Sequence, residues 1–211
     1  MDFSKDIANK LLQIKAIKLN PQSPFTWASG IKSPIYCDNR ISLSHPEVRT
    51  AIKNALAAQS KNFRQFDIIA GVATAGIAHG ALLADALNMP FCYVRSEAKS
   101  HGRQNQIEGD IKPNSKILVV EDLISTGGSS LQVVEVLRQE GYEIVGVLAI
   151  FDYQFEKAKN SFANANCKYE TICNYQELIK EANETDYISN AQMEILANWN
   201  NDPIAWSENN G

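Results

Sequence analysis

The chain has no excess of basic residues. Its 20 Lys and Arg stand against 24 Asp and Glu, a formal charge of −4 over 211 residues. That balance excludes the global basic field that holds a nucleic-acid backbone. No apolar run approaches the ~20 residues a membrane-spanning helix requires. The four cysteines, Cys37, Cys92, Cys167 and Cys173, are scattered, with no CxxC pair and no metal-ligand spacing. They read as reduced thiols packed as small apolar groups. Met1 to Asp6 show no basic-then-apolar signal pattern. Internal repeats and low-complexity segments are also lacking. The expectation is a cytoplasmic protein with neither a nucleic-acid nor a membrane partner.

What is present is ordinary for a globular chain: 45% hydrophobic and 21% charged residues. The length suits one α/β domain with an appendage. Residues 5–19 place Ile7, Leu11, Leu12, Ile14 and Ile17 at helical spacing, which predicts an amphipathic helix. Residues 20–46 are punctuated by Pro21, Pro24, Pro34 and Pro46 and predict extended strands and turns. Pro46 near a first turn opens a helix to about Ser60. From Phe66 onward short apolar runs alternate with helical patterns. Strands are expected at 66–70, 91–94, 116–121, 143–151 and 169–173, and helices at 76–88, 129–140, 155–165, 174–182 and 189–198, with a polar tail. Strands apolar on both faces that alternate with helices imply a parallel sheet covered on each side. Ligands of such sheets bind at the carboxyl ends of the strands. Three segments follow strands there, 71–76, 95–109 and 121–129, and are expected to meet at one cleft.

The most informative segment is Ile117 to Ser130. A doubly buried strand runs into two carboxylates, Glu121 and Asp122. A short loop follows, Ser125-Thr126-Gly127-Gly128-Ser129, and opens a helix. Loop amides at a helix N-terminus hold anions. Without a Lys after the glycines this is not a P-loop. Two acids would repel a bare phosphate, so they make sense holding what is attached to it: ribose hydroxyls or a metal. The bland alternative is a solvated strand end followed by a turn. Gly71 to Ala78 equally suits a close backbone approach to a ligand or tight helix–sheet packing. Residues 95–109 read by composition as a solvated charged loop, yet their length inside a compact domain is that of a functional lid.

Val119-Val120-Glu121-Asp122-Leu123-Ile124-Ser125-Thr126-Gly127-Gly128-Ser129 resembles the phosphoribosyl pyrophosphate (PRPP) motif of the type I phosphoribosyltransferases. Arg95-x-x-x-Lys99-x-His101-Gly102 resembles the mobile catalytic loop of the orotate phosphoribosyltransferases within that family. Phe25 to Arg40 resembles their N-terminal hood signature. The resemblance spans residues 5–180. It implies a Rossmann-like core at 63–185, an N-terminal helix, hood strands and helix at 1–62, and a C-terminal helix and tail at 186–211, integrated as one domain. It also implies transfer of a phosphoribosyl group from PRPP to orotate, with Mg²⁺ held mainly by PRPP and water. A homodimer is implied too, in which the 95–109 loop reaches the neighbouring active site.

By the same resemblance Glu121 and Asp122 contact the ribose. Leu123 and Ile124, with Ser125, Thr126, Gly127, Gly128 and Ser129, surround the 5′-phosphate, and Ser125 also touches orotate. Thr74 and Ala75 belong to the pyrophosphate loop. Arg95, Lys99 and His101 neutralise the leaving group. The chain departs from some relatives at four places. Ser96 and Ala75 stand where those carry Lys. Ala28 replaces a Lys before Ser29-Gly30, with Lys32 the candidate substitute on orotate. Tyr153 stands where an Arg lies near the pyrimidine carboxylate. Competing readings are a purine phosphoribosyltransferase, a PRPP-sensing regulator of nucleic acid, and a silent partner subunit. The hood signature, the acidic charge, and intact Lys99 and His101 argue against them in turn.

Overall fold

The computed structural model describes residues 3–27, 29–95 and 106–210. Six strands form one sheet in the order β10-β9-β8-β5-β6-β7. Here β5 is Ile68–Val72, β6 Phe91–Val94, β7 Ile107–Glu108, β8 Lys116–Ile124, β9 Glu143–Asp152 and β10 Tyr169–Asn174. The first five to pair, β10 through β6, run parallel, and β7 closes the edge antiparallel to β6. The helices are α1 (Phe3–Gln13), α2 (Pro46–Gln59), α3 (Ala75–Leu87), α4 (Gly128–Gln139), α5 (Glu156–Asn164), α6 (Tyr175–Glu184), α7 (Asn190–Asn201) and α8 (Pro203–Asn209). Four short strands precede the core: β1 (Ile17–Leu19), β2 (Phe25–Thr26), β3 (Lys32–Ser33) and β4 (Ile35–Cys37). No helix among the described residues is long and apolar enough to cross a membrane.

Two apolar layers sandwich the sheet, and the alternation along β8 shows why. Leu118 and Val120 pack on the side that also holds Ile7, Leu11, Ile52 and Leu83 from α1, α2 and α3. Ile117 and Val119 face Val133, Leu137 and Phe162 from α4 and α5. A strand buried on both faces reads as a continuous apolar run, which is how β8 and β9 appear in the sequence. After β5 the chain turns toward β6 at one edge; after β7 it returns beside β5 as β8 and proceeds the other way. The reversal leaves a crevice between the carboxyl ends of β5 and β8, the place where open α/β sheets bind ligands.

The expected helix over 5–19 is corrected. It stops at Gln13, Lys15 takes a positive φ of 58°, and Ile17–Leu19 forms β1 against β4. Ile17 fits the helical period, but pairing with Cys37 buries it completely. Non-local strand pairing overrides local periodicity there. The polar tail is corrected as well, since Pro203–Asn209 is helical. Asp202 caps it by accepting from the Ala205 N–H at 3.0 Å, and Pro203 occupies the first turn. The 95–110 stretch is shorter as a loop than expected, because Ile107 and Glu108 pair with Val94 and Tyr93.

Candidate active site

The crevice holds a cavity of about 320 Å³. Val72, Ala73, Thr74 and Ala75 line one side; Glu121, Asp122, Leu123, Ser125, Thr126, Gly127, Gly128 and Ser129 line the other. All twelve positions lie in the segments 71–76 and 121–129 singled out in the sequence. Ile124 does not line it: it is 1% exposed and packs into the α4–α5 layer. Its carbonyl instead accepts from the Tyr153 N–H at 3.1 Å, tying the end of β8 to the segment after β9.

Gly127 shapes the turn into α4. It precedes α4 with φ 81°, a left-handed conformation that costs a residue with a Cβ. A Cβ there would also stand 2.8 Å from Cε2 of buried Phe162. At Gly128, by contrast, a Cβ would meet only the Thr126 hydroxyl, at 3.9 Å. The first amides of α4 have no partner within the helix and face the same opening, and the helix dipole favours an anion there. Gly127→Ala is therefore expected to lower unfolding free energy by about 1–3 kcal/mol, combining the left-handed strain with overpacking. Denaturant titration checks it, and Gly128→Ala should leave stability within roughly 0.5 kcal/mol.

Across the crevice the small residues serve packing and access together. A Cβ on Gly76 would meet the Val120 carbonyl oxygen at 2.5 Å, and one on Gly80 would meet Phe91 at 2.8 Å. These glycines press α3 against the sheet. Ahead of them Ala73 donates its N–H to the Val94 carbonyl at 2.9 Å, and the Ala73–Thr74 peptide is cis. Thr74 sits at the start of α3, and Thr74 and Ala75 line the cavity. The packing reading of residues 71–78 applies at Gly76 and, just beyond them, at Gly80.

The acid pair is buried more deeply than a solvated strand end would be. Glu121 is 4% exposed. One oxygen accepts from the Asp122 N–H at 3.0 Å, the other from the Ser129 and Ser130 hydroxyls at 3.1 and 3.2 Å. Burial, then the neighbouring Asp122 charge, pushes the Glu121 carboxyl up to about 8. Burial also raises Asp122, against the pull of Arg40. The hood reaches this pair: Asn39 Nδ2 donates to the Asp122 carbonyl at 2.8 Å, and Arg40 grips Asp38 with Nε and Nη2 at 2.7 and 3.0 Å. Ser130 and Asn39 are supports that the sequence reading missed. Asn39 was legible only as part of a signature; Ser130 is one residue past the motif.

These shifts set a pH dependence. Between the ordinary carboxylate range and about pH 8, the native Glu121 keeps a proton that the unfolded chain has lost. Stability therefore falls as pH rises through that window and levels above it. Asp152, raised to about 6 by burial, adds a fall that ends near pH 6. The ligand-free protein should melt higher at pH 5 than at pH 8, and Glu121→Gln should flatten the part of the slope above pH 6, read from melting temperature in matched buffers.

Of the remaining expected residues, those described do not line the cavity. Arg95 is half exposed, pairs with Glu108 at 3.2 Å and does not line the cavity. Its N–H donates to the Gln106 carbonyl at 2.9 Å, so the two ends of the 95–106 excursion meet beside β6. Lys99 and His101, with Ser96, lie outside the described residues, as does Ala28. Lys32 is on β3, in the hairpin it makes with β2, and does not line the cavity. Tyr153 is 2% exposed, its ring enclosed by Trp27, Phe155, Tyr175 and Trp199. Its ring is thus part of the core beneath the hood. Among the described residues no group of three or more His, Cys, Asp or Glu side chains is placed to hold a metal ion.

A glycine loop at a helix start, beside carboxylates at the switch point of a parallel sheet, suits a class of ligand that carries both a phosphate and hydroxyls. Comparison with known proteins narrows that class. The family model described as the phosphoribosyl transferase domain matches residues 42–186. Over 207 residues the chain is 51% identical to the orotate phosphoribosyltransferase of Lactococcus lactis subsp. cremoris (strain MG1363), covering 98% of this chain and 99% of that one. The crystal structure of orotate phosphoribosyltransferase from Aeropyrum pernix superposes with a TM-score of 0.75 at 27% identity, covering 87% of this chain and 99% of that one. The structure of Leishmania donovani UMP synthase superposes with a TM-score of 0.79 at 25% identity over 92% of this chain, which spans 41% of that one. The chain belongs to the phosphoribosyltransferase family, and within it to the orotate phosphoribosyltransferases.

Proposed function

We propose that the chain transfers the phosphoribosyl group of PRPP to orotate, giving orotidine 5′-monophosphate and pyrophosphate in pyrimidine biosynthesis, as a cytoplasmic homodimer. The observation that carries this reading is the juxtaposition in one cavity of the start of α4 and the Glu121–Asp122 pair, to which Asn39 of the hood segment is hydrogen-bonded. Gly127, Gly128 and Ser129, with the Ser125 and Thr126 hydroxyls, take the 5′-phosphate. Glu121 and Asp122 take the ribose hydroxyls. Because burial biases that pair toward holding a proton, it can donate to one hydroxyl and accept from the other.

Breaking the bond at the anomeric carbon leaves an oxocarbenium-like ribose and builds negative charge on pyrophosphate. Catalysis is then positioning and charge stabilisation. The carboxylates lie on the sugar side, where positive charge develops. Val72 to Ala75 offer backbone to the pyrophosphate, and Arg95, Lys99 and His101 supply cations to it. An imidazole titrates near neutral pH, which suits His101 to protonating the leaving group. Among the described residues only Glu121 and Asp122 would lie near a Mg²⁺, which would be held mainly by PRPP and water and would supply positive charge to the pyrophosphate. Closure of the 95–109 loop over the partner's site excludes water and suppresses PRPP hydrolysis.

The test is spectrophotometric. Protein mixed with orotate, PRPP and Mg²⁺ should consume orotate, with adenine, hypoxanthine and uracil left unreacted in parallel cuvettes. Turnover of a purine with orotate untouched would replace this reading with a purine enzyme.

A further inference from the structure

The hood hairpin cannot hold its own shape. Strands β2 and β3 are two residues each and share only the pairs Phe25–Ser33 and Thr26–Lys32. An isolated two-stranded hairpin is marginal even when several times longer. Beside the Phe25–Tyr36 ring contact and the Trp27 Nε1 donation to the Ile35 carbonyl, two contacts from the C-terminal helices order it. The Lys32 N–H, on the side of β3 away from β2's ladder, donates to Ser207 Oγ of α8 at 2.8 Å. The Trp27 ring meets Trp199 of α7 edge-on at 5.8 Å, with Tyr153 5.6 Å from the same ring. Trp199 is fully buried, so this is a core contact.

The same helices also hold the segment after β9. Asn200 Nδ2 donates to the Tyr153 carbonyl at 2.7 Å, and Tyr153 in turn donates its N–H to Ile124, one residue before Ser125. A continuous path of hydrogen bonds and ring contacts thus runs from α8 through the hairpin, and from α7 through Tyr153, to the end of β8. The phosphate cradle lies beyond that path: its residues Gly127 to Ser129 are held by α4 and by Phe162.

We propose that Ser207 and Asn200 are positioning residues for the base, and that the C-terminal helix pair sets affinity for the base without setting affinity for PRPP. The proposal rests on the orotate reading given above. Loss of one partly buried hydrogen bond shifts an equilibrium by roughly three- to ten-fold. Ser207→Ala should therefore raise the KM for orotate by that factor, leave the KM for PRPP within about twofold, and loosen residues 25–33 in hydrogen exchange of the full chain. Ser207→Thr, which keeps the hydroxyl, should restore all three readouts. Asn200→Ala should raise the orotate KM in the same way, with exchange increasing at 152–154.

Equal changes in both KM values would overturn the proposal, since that is what general destabilisation produces. So would unchanged orotate KM in both alanine variants, or hairpin exchange that ignores Ser207. Wild-type protein that consumes no orotate would instead sink the assignment of the base. The exchange measurement would still decide whether α8 orders the hairpin.

Discussion

The double variant Glu121→Gln, Asp122→Asn should lose about 10³-fold in kcat/KM, the scale of two hydrogen bonds to charged groups at ~1.5–3 kcal/mol each. It should do so without melting lower. The first half follows from what the pair faces. An amide keeps the shape and one acceptor oxygen, but it surrenders the charge opposite a ribose that becomes cationic in the transition state. The second half follows from burial. A carboxyl pushed up to about 8 is one the folded protein disfavours in its charged form. Gln at this position can keep its oxygen on the Asp122 N–H and turn its NH₂ to the Ser129 and Ser130 oxygens, which accept as readily as they donate. Near pH 8 the variant should be as stable as the parent or more so, the usual relation between a functional site and the fold that tolerates it. Differential scanning calorimetry beside steady-state kinetics checks both halves. Turnover within tenfold of wild type would remove the pair from the mechanism. Lost activity that tracks a lowered melting temperature would make it a structural element.

The core was legible because its signal is strong at short range. β6 runs from Phe91 to Val94 as expected, and α4 and β9 differ from expectation by a residue at their ends. Long apolar runs between helices can satisfy their backbone and bury their side chains in few ways other than a parallel sheet. What escaped was decided by distant partners. Ile17 continues a helical stripe, and only Cys37 on β4 makes it a strand. Ile107 and Glu108 are two residues of strand, too short for any period, and exist because Val94 and Tyr93 offer a free edge. The helix at Pro203–Asn209 carries start signals at Asp202 and Pro203, but its composition is that of a tail; it docks on a hairpin more than 170 residues earlier.

At the site, residue types were readable and side-chain directions were not. Glu121, Asp122 and the Ser125–Ser129 loop line the cavity together with Thr74 and Ala75. Ile124 belongs to the same unbroken motif yet points into the α4–α5 layer, since neighbouring strand residues face opposite ways. Tyr153 looked like a residue near the pyrimidine carboxylate. Five aromatic contacts now enclose it, and that role needed Trp27 and Trp199 on the page together. The support that Asn39 gives to the Asp122 carbonyl spans 83 positions and has no local sign.

Lys99→Ala should cut turnover by ~10²-fold or more, the scale of one lost transition-state contact, while PRPP binding stays measurable by calorimetry. The binding half rests on the Ser125–Ser129 loop and the acid pair, which lie between β8 and the start of α4. The turnover half rests on charge. The lining of the cavity as described carries two carboxylates, hydroxyls and backbone, and contributes no cation to meet a departing pyrophosphate. On the proposed mechanism the segment joined at Arg95 and Gln106 supplies it, beside Mg²⁺. If this segment serves the partner's site, mixing Lys99→Ala protein with the Glu121→Gln, Asp122→Asn variant and allowing subunits to exchange should restore activity. Random pairing makes half the dimers mixed, each with one intact site, so recovery should approach about a quarter of wild type. A mixture no more active than its components would place the loop over its own subunit's site. Near-normal turnover of Lys99→Ala alone would refute the catalytic role of the loop, and pyrophosphate would then leave without help from that lysine.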